Sequence, residues 1–369
     1  MLFVDEVQDA VTPHPDRVLT WDKFFAIAVS SHLQRVFLTG TFPPHLTDKF
    51  LRVTISNQDT LMIRATTDRP ELGYHVVNIN WKTSIIRNAM ALVRMLETEL
   101  EGKDRIIIFF QNHDTCEQFA HRYGCAKYHS KLPMFGDDCK DSNLHRWDVG
   151  ETKVLVATTA AAVGVDRPYV KFTVVVEGTY GLLTFAQEVG RGGRRGEPSY
   201  AIVLRNERAH KVHAFKGLTD PKDVSCIAAF EGYLNNASNC RRHLLLKCLD
   251  GSDLCDQRRR RLTCDQVPGS NPCDMCQPRS RIALLIKSSV TEAHTDTTLP
   301  PITPTGHCSY KSAATARMPA PVAPVAGPSN REKTLSQESY GEEPTASLLG
   351  LFDAIDKLHS VRDFPTLKR

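Results

Sequence analysis

Two arginines in a glycine-rich turn are the residues of this chain best suited to chemistry. Arg191 and Arg194 stand three apart in residues 187–194, Gln-Glu-Val-Gly-Arg-Gly-Gly-Arg. A guanidinium group can hold a phosphate through two parallel hydrogen bonds, and glycine lets backbone approach a ligand closely. An arginine on a γ-phosphate stabilises the charge of phosphoryl transfer. The turn therefore predicts a site for the phosphates of a nucleotide.

A second polar group follows the first apolar run of the chain. Asp5, Glu6 and Gln8 come directly after Leu2–Val4. Carboxylates at the C-terminal end of a strand can hold Mg²⁺ through water and orient an attacking water. An isolated Asp-Glu pair is more often a solvated strand end, so the neighbouring motifs decide between the two interpretations.

The order of motifs along the chain resembles that of superfamily-two helicases, and the form of the arginine turn resembles their RecQ branch. Residues 5–8 stand at motif II and residues 39–41, Thr-Gly-Thr, at motif III. Residues 156–168 stand at motif V and the arginine turn at motif VI. The resemblance implies an ATP-dependent DNA helicase that uses Mg²⁺ and translocates 3′ to 5′.

The resemblance also implies roles for single residues, with Arg194 the better candidate for the arginine finger. The catalytic set would serve the γ-phosphate and its attacking water: Asp5, Glu6, Gln8, Arg191 and Arg194. Further contacts to the nucleotide would come from Gln187, Gly164 and Asp166. Contacts to nucleic acid would come from Thr39, Thr41, His129, Thr158, Arg241, Arg242, Arg258 and Arg259. For His129 a structural role is an equally good interpretation, and Gly164 is also suited to a turn that needs positive φ.

Cysteines in the last third of the motif-bearing region predict a structural zinc site. A Cys-x-x-Cys pair supplies two thiolates to one tetrahedral ion, and Cys273 and Cys276 form such a pair. RecQ-like proteins carry a Cys-Arg on a helix before three further cysteines, which implies Cys240 as the first ligand. The second ligand is Cys264 or Cys255. Cys264 is favoured because it shares one short loop with the terminal pair.

Alternating apolar runs and helical stretches must position these residues. Buried parallel strands are predicted at Leu2–Val4, Val36–Leu38, Arg105–Phe110, Val154–Val156, Phe172–Val176 and Tyr200–Leu204. Helices are predicted at Trp21–Leu33, Ile85–Leu100 and Leu182–Glu188. This alternation predicts a doubly wound α/β fold, and the resemblance implies that it is RecA-like.

Four regions follow from these patterns. Residues 1–80 are expected to be the C-terminal part of a first, incomplete helicase lobe and residues 81–205 a complete second lobe. Residues 206–280 are expected to form a small helical zinc-binding module. Residues 281–369, rich in Pro, Ser and Thr, are expected to form a disordered tail, in which 346–358 has the spacing of a short helix.

Composition excludes some classes and leaves the partner to local features. The net charge is only +4, so any surface for DNA must be a local cluster of cations. No apolar run approaches the roughly 20 residues of a membrane span, and Asp5 and Glu6 interrupt any signal-peptide pattern. Eleven cysteines without such a signal favour a reducing compartment, and the resemblance implies the nucleus.

The sequence contains no Gly-x-x-x-x-Gly-Lys-[Ser/Thr] phosphate loop. Without that lysine and its cradling amides, the phosphates have no primary binding site. The expectation is an N-terminally truncated helicase that begins at motif II and hydrolyses no ATP as this polypeptide. The alternative is a catalytically dead module that binds DNA or regulates another protein.

Overall fold

A computed structural model describes residues 1–11, 15–30, 33–56, 60–80, 82–159, 161, 165–206, 221–251, 263–264 and 267–292. All of them belong to the unit Met1–Ile302. Several predictions concern other residues and lie outside the described part of the chain: Gly164, Cys255, Arg258, Arg259 and the helical spacing at 346–358.

The main element is a six-stranded, wholly parallel sheet. Its strands, in chain order, are β3 (Leu72–Ile79), β4 (Arg105–Phe109), β5 (Ala126–Tyr128), β6 (Val154–Ala157), β7 (Val170–Val176) and β8 (Ser199–Asn206). Their order across the sheet is β3-β8-β7-β4-β6-β5. Because parallel neighbours need crossover connections, helices lie on both faces. This confirms the predicted doubly wound α/β fold.

The helices divide between the two faces of this sheet. One face is covered by α3 (Ile85–Glu97), α4 (His113–Tyr123) and a C-terminal helix α9 (Arg281–Glu292). The other is covered by α5 (Lys140–Val149), α6 (Leu182–Val189), α7 (Pro221–Leu234) and α8 (Arg241–Leu249). The strands between them are almost entirely buried, as expected for a parallel sheet.

The N-terminal part adds a small parallel pair of strands. β1 (Leu2–Val4) pairs with β2 (Arg35–Phe37), and α1 (Pro15–Ser30) and α2 (Thr47–Val53) accompany them. Aromatic side chains fill the space between these elements, including Phe25 and Phe50, which both contact Phe37 edge to face. The C-terminal ends of β1 and β2 lie side by side, which brings motif II next to motif III.

Two predicted domain boundaries were wrong. β3 pairs with β8 along its whole length, so the second lobe begins at Leu72 and not after residue 80. Its apolar pattern is interrupted by the buried His75 and by Asn78, which hid the strand in the sequence. The tail does not begin at residue 281 either. α9 covers 281–292, because Ile286 and Val290 are buried in the core on the α3 face.

Candidate functional site

One cleft brings together residues from motifs II, III and VI. It is lined by Glu6, Gly40 and Thr41 from the N-terminal part and by Gln187, Gly190 and Arg191 from the arginine turn. These groups are separated by about 150 to 180 residues in the sequence, and only the fold brings them to one place. The cleft has both acidic and cationic walls, as a site for a magnesium-bound nucleotide would need.

On the acidic wall, hydrogen bonds join motif II to motif III. The amide nitrogen Nε2 of Gln8 donates to the carboxylate of Glu6, and the Thr39 hydroxyl donates to Oε1 of Gln8. Gln8 is 1% exposed, so this link is shielded from water. The Thr41 hydroxyl oxygen is buried and has no hydrogen-bond partner among the described residues. Through these two hydrogen bonds, Gln8 can transmit a movement of the Glu6 carboxylate to Thr39.

Two acidic groups of motif II differ in their surroundings. Asp5 is exposed, and its Oδ1 accepts a hydrogen bond from the Glu6 amide at 2.8 Å. Glu6 lies in the left-handed region at φ 51, which is uncommon for a residue with a side chain. Such conformations persist where the surrounding structure holds them, and they cluster at functional sites.

On the cationic wall, Arg191 is fixed by backbone carbonyls. Its Nε donates to the carbonyl of Gln187 at 3.3 Å and its Nη1 to that of Val165 at 3.1 Å. Burial and the neighbouring Arg194 cation lower the pKa of Arg191 to about 10, and Glu6 acts in the opposite direction. Arg191 therefore keeps its charge at neutral pH and presents it at the cleft.

Arg194 is held by an ion pair that solvent can reach. Its Nη1 donates to the carboxylate of Asp166, whose side chain is 78% exposed. A pair with one solvated partner contributes little net stability, typically under about 1 kcal/mol. A phosphate could therefore replace Asp166 as the partner of Arg194 at small cost. The predicted motif V carboxylate and motif VI arginine thus lie together.

The four predicted zinc ligands form one cluster. The sulfur atoms of Cys240, Cys264, Cys273 and Cys276 all lie within 4.8 Å of one another. Zn–S bonds of about 2.3 Å in a tetrahedron place the sulfurs roughly 3.8 Å apart, so the cluster has the size that this ion needs. Cys264 thus has the position that the sequence analysis favoured for the second ligand. Cys240 caps the start of α8, and Cys273 is fully buried.

Arg241 and Arg242 are not placed to contact DNA, which corrects the sequence prediction. Their side chains are each 4% exposed and pair with Asp274 and Asp68, respectively. Arg242 also donates to several backbone carbonyls, one of them that of Leu72 at 2.7 Å. Both cations therefore stabilise the interior and offer no charge to a phosphate at the surface.

His129 is also buried. It is 3% exposed, and its Nε2 lies 2.8 Å from a carboxylate oxygen of Glu117. This favours the structural interpretation over contact with nucleic acid. Thr158 lies beside it at the end of β6, where its amide donates to the Tyr128 carbonyl at 3.2 Å. Thr158 itself is 5% exposed, whereas Thr39 is exposed at the end of β2.

The parallel sheet and its flanking helices form a RecA-like α/β fold. The helicase conserved C-terminal domain family matches residues 87–196, from α3 to the end of the arginine turn. This match contains the second-lobe motifs and the whole cationic wall of the cleft.

The chain is also similar to longer helicases, one of them named as RecQ-like. It is similar to the ATP-dependent helicase SGS1 of Saccharomyces cerevisiae, with 26% identity over 63% of this chain and 16% of that protein. The RecQ-like DNA helicase blm-1 of Caenorhabditis elegans is 23% identical over 68% of this chain and 25% of its own length. The chain thus spans about a sixth to a quarter of these two relatives.

The structure described as S. cerevisiae Dbp5 bound to RNA and ADP BeF3 is 17% identical, covers 64% of this chain and 58% of its own, and has a TM-score of 0.46.

Proposed function

We propose that this chain carries the motif II, motif III and second-lobe elements of a RecQ-type, ATP-dependent DNA helicase that translocates 3′ to 5′, and that this polypeptide by itself hydrolyses no ATP. The observation that carries the proposal is the cleft in which Glu6 faces Arg191. The names of the relatives, which include an ATP-dependent helicase and a RecQ-like DNA helicase, support it.

In this proposal each wall of the cleft has its own task. Asp5 and Glu6 would hold Mg²⁺ and orient the attacking water. Gln8 would transmit a movement of the Glu6 carboxylate to Thr39. Arg191 and Arg194 neutralise charge on the γ-phosphate, while Gln187 and Asp166 contact the nucleotide nearby. When bound, Mg²⁺ neutralises charge on the phosphate oxygens. The cysteine cluster would hold Zn²⁺, whose task is structural because all four ligands are thiolates.

We expect this chain to bind ATP weakly, to prefer it over ADP, and to show no DNA-stimulated turnover. Only ATP has the γ-phosphate that the two arginines would meet, whereas the sequence contains no phosphate loop. A charge-assisted hydrogen bond is worth roughly 1.5–3 kcal/mol, so the preference should be about ten- to a hundredfold. Competition titrations with a fluorescent ATP measure it.

The double variant Arg191→Ala/Arg194→Ala should remove this preference for ATP. Arg146→Ala is the control, because Arg146 is also partly exposed and pairs with Glu151. Equal affinity for ATP and ADP in the unaltered chain would favour the alternative, a non-catalytic module that binds DNA. Turnover that disappears on Glu6→Gln would contradict the expected inactivity.

DNA binding should be weak and steeply dependent on salt. Non-specific association typically has dissociation constants of about 10⁻⁴–10⁻⁶ M, and each phosphate contact to a single strand adds roughly 0.7 to the salt slope. The arginine run Arg258–Arg261 is the cluster of cations in the sequence that we propose to touch the backbone. Fluorescence anisotropy with a labelled single strand, measured over a range of salt concentrations, gives both quantities.

Substitution of Arg258 and Arg259 by serine should weaken binding and flatten the salt slope by about 1 to 1.5. The matched control removes two arginines from helices of the second lobe, Arg94 on α3 and Arg122 on α4. Equal losses in the two variants would show that total charge and not this cluster binds DNA. No salt-dependent binding at all would rule out a DNA role for this chain.

We also propose that the chain acts in the nucleus, and a role on DNA would be consistent with that site of action. Among the described residues, no helix is both long and apolar enough to cross a membrane.

A further inference from the structure

Arg69 makes direct contact with the loop that carries the two phosphate-binding arginines, residues 190–195, which we call the arginine loop. Its guanidinium donates hydrogen bonds at 3.4, 2.8 and 3.1 Å to the carbonyl oxygens of Gly190, Gly192 and Gly193. The Nε of Arg69 pairs with Glu71. One planar cation, itself fixed by a carboxylate, therefore holds three carbonyls of the loop.

The backbone of the arginine loop lies very close to the segment that contains Arg69. Gly193 has φ +62, and a Cβ there would come within 2.7 Å of the Glu71 side chain. The glycine is needed for both the conformation and the approach. The hydrogen bonds from Arg69 are thus part of a tightly fitted contact.

The segment around Arg69 is held in turn by the cysteine-bearing region. The buried Arg242, two residues after Cys240, donates to the carbonyls of Arg69 and Leu72. Asn271, two residues before Cys273, donates its backbone amide to the Pro70 carbonyl at 2.7 Å. Its side-chain amide donates to the carbonyls of Glu71 and Ser199.

A second contact fixes the same segment from the end of α8. Asp250 is 5% exposed and accepts hydrogen bonds from both hydroxyls and one amide of Thr66 and Thr67. Residues 66–72 are therefore fastened on one side to the region of the cysteine cluster. On their other side, Arg69 reaches the arginine loop.

We propose that Arg69 is a positioning residue for the arginine loop, and that the metal-binding region keeps Arg69 in place through Arg242 and Asn271. Metal binding and the order of the loop are then coupled over a chain of direct hydrogen bonds. The consequence for the γ-phosphate rests on the proposed function, but the contacts themselves do not.

Hydrogen exchange measured by mass spectrometry, in the absence of nucleotide and DNA, tests the first link. In Arg69→Ala, peptides covering 187–197 should exchange about tenfold faster relative to peptides covering β4 in the same sample. Arg69→Lys keeps the positive charge but replaces the planar guanidinium by one ammonium group. Exchange in 187–197 should therefore rise by an intermediate amount, and the variant should still fold. Arg146→Ala, which removes an arginine of similar exposure, should change nothing.

Removal of zinc from the unaltered chain by a chelator tests the second link. Exchange in 187–197 should rise with the loss of zinc, and the added rise should be much smaller in Arg69→Ala. Unchanged relative exchange in both Arg69 variants would overturn the positioning role. A loss of zinc that leaves the rate of hydrogen exchange in residues 187–197 unchanged would overturn the coupling. These exchange experiments contain no nucleotide. Their outcome therefore does not depend on whether the chain prefers ATP over ADP, which is the test of the proposed function.

Discussion

Replacement of Cys273 by serine is expected to remove the bound metal and to unfold the region between α7 and α9. Cys273 is fully buried at the centre of the four-cysteine cluster. Structural zinc contributes on the order of 10 kcal/mol of folding free energy at neutral pH, which is comparable to the whole stability of a domain. Elemental analysis should fall from one zinc per chain to near zero. Limited proteolysis should then cleave within this region, between α7 and α9.

The matched control is Cys248→Ser, a change on α8 at a half-buried cysteine outside the cluster. It should keep its zinc and its resistance to protease. Cys264→Ser should lose the metal, whereas Cys255→Ser should keep it, which decides between the two candidates for the second ligand. Full zinc content in Cys273→Ser, or no zinc in the unaltered chain, would contradict the metal assignment.

Substitution of Arg242 by methionine should cost about 3–5 kcal/mol in the free energy of unfolding. The change removes the ion pair between Arg242 and the carboxylate of Asp68, whose side chain is 1% exposed. A buried charge that loses its partner is strongly destabilising, because it has given up its hydration without compensation. Several carbonyls also lose a charged donor. Urea denaturation followed by circular dichroism measures the change.

Arg281→Met is the control for Arg242→Met. Arg281 also pairs with a carboxylate, Glu99, at 2.7 Å, but its own side chain is 80% exposed. A surface pair of this kind should contribute under about 1 kcal/mol. The double variant Arg242→Met/Asp68→Asn should recover part of the loss, because no buried charge then remains unpaired. Similar losses for the Arg242 and Arg281 variants would contradict the role of burial.

These predictions share one structural basis. Arg241 and Arg242 form buried ion pairs, and the region that they stabilise lies between the cysteine cluster and the arginine loop. Stability and the arrangement of the cleft are therefore properties of the same hydrogen-bonded network. The proposed DNA-binding surface would then be formed by other residues, among which Arg258 and Arg259 remain our prediction.

The sequence by itself determined the fold class and predicted which charged residues line the cleft. Apolar runs of strand length alternating with helices predict a doubly wound sheet, because a parallel strand is buried on both faces. Motif order predicted that Glu6 and Arg191 belong to one site. The Cys-x-x-Cys pair predicted a metal site, because two thiolates at that spacing can reach one ion.

Only the tertiary structure decided which charged residues face inward. Arg241 and Arg242 have the composition of a phosphate-binding surface, but Asp274 and Asp68, far away in the sequence, pair with them in the interior. A side chain's charge is a local property, whereas its burial depends on distant segments. The same reason explains why β3 was missed, since His75 is buried by packing that the sequence does not show.

The role of Arg69 could likewise be seen only in the folded chain. In the sequence Arg69 stands directly before Pro70, which predicts an extended connection between the lobes and gives no sign of its partners. Its three carbonyl partners lie more than 120 residues further along the chain. Backbone carbonyls carry no sequence signature, because every residue has one. Contacts of this kind are decided when the tertiary structure brings the two segments together.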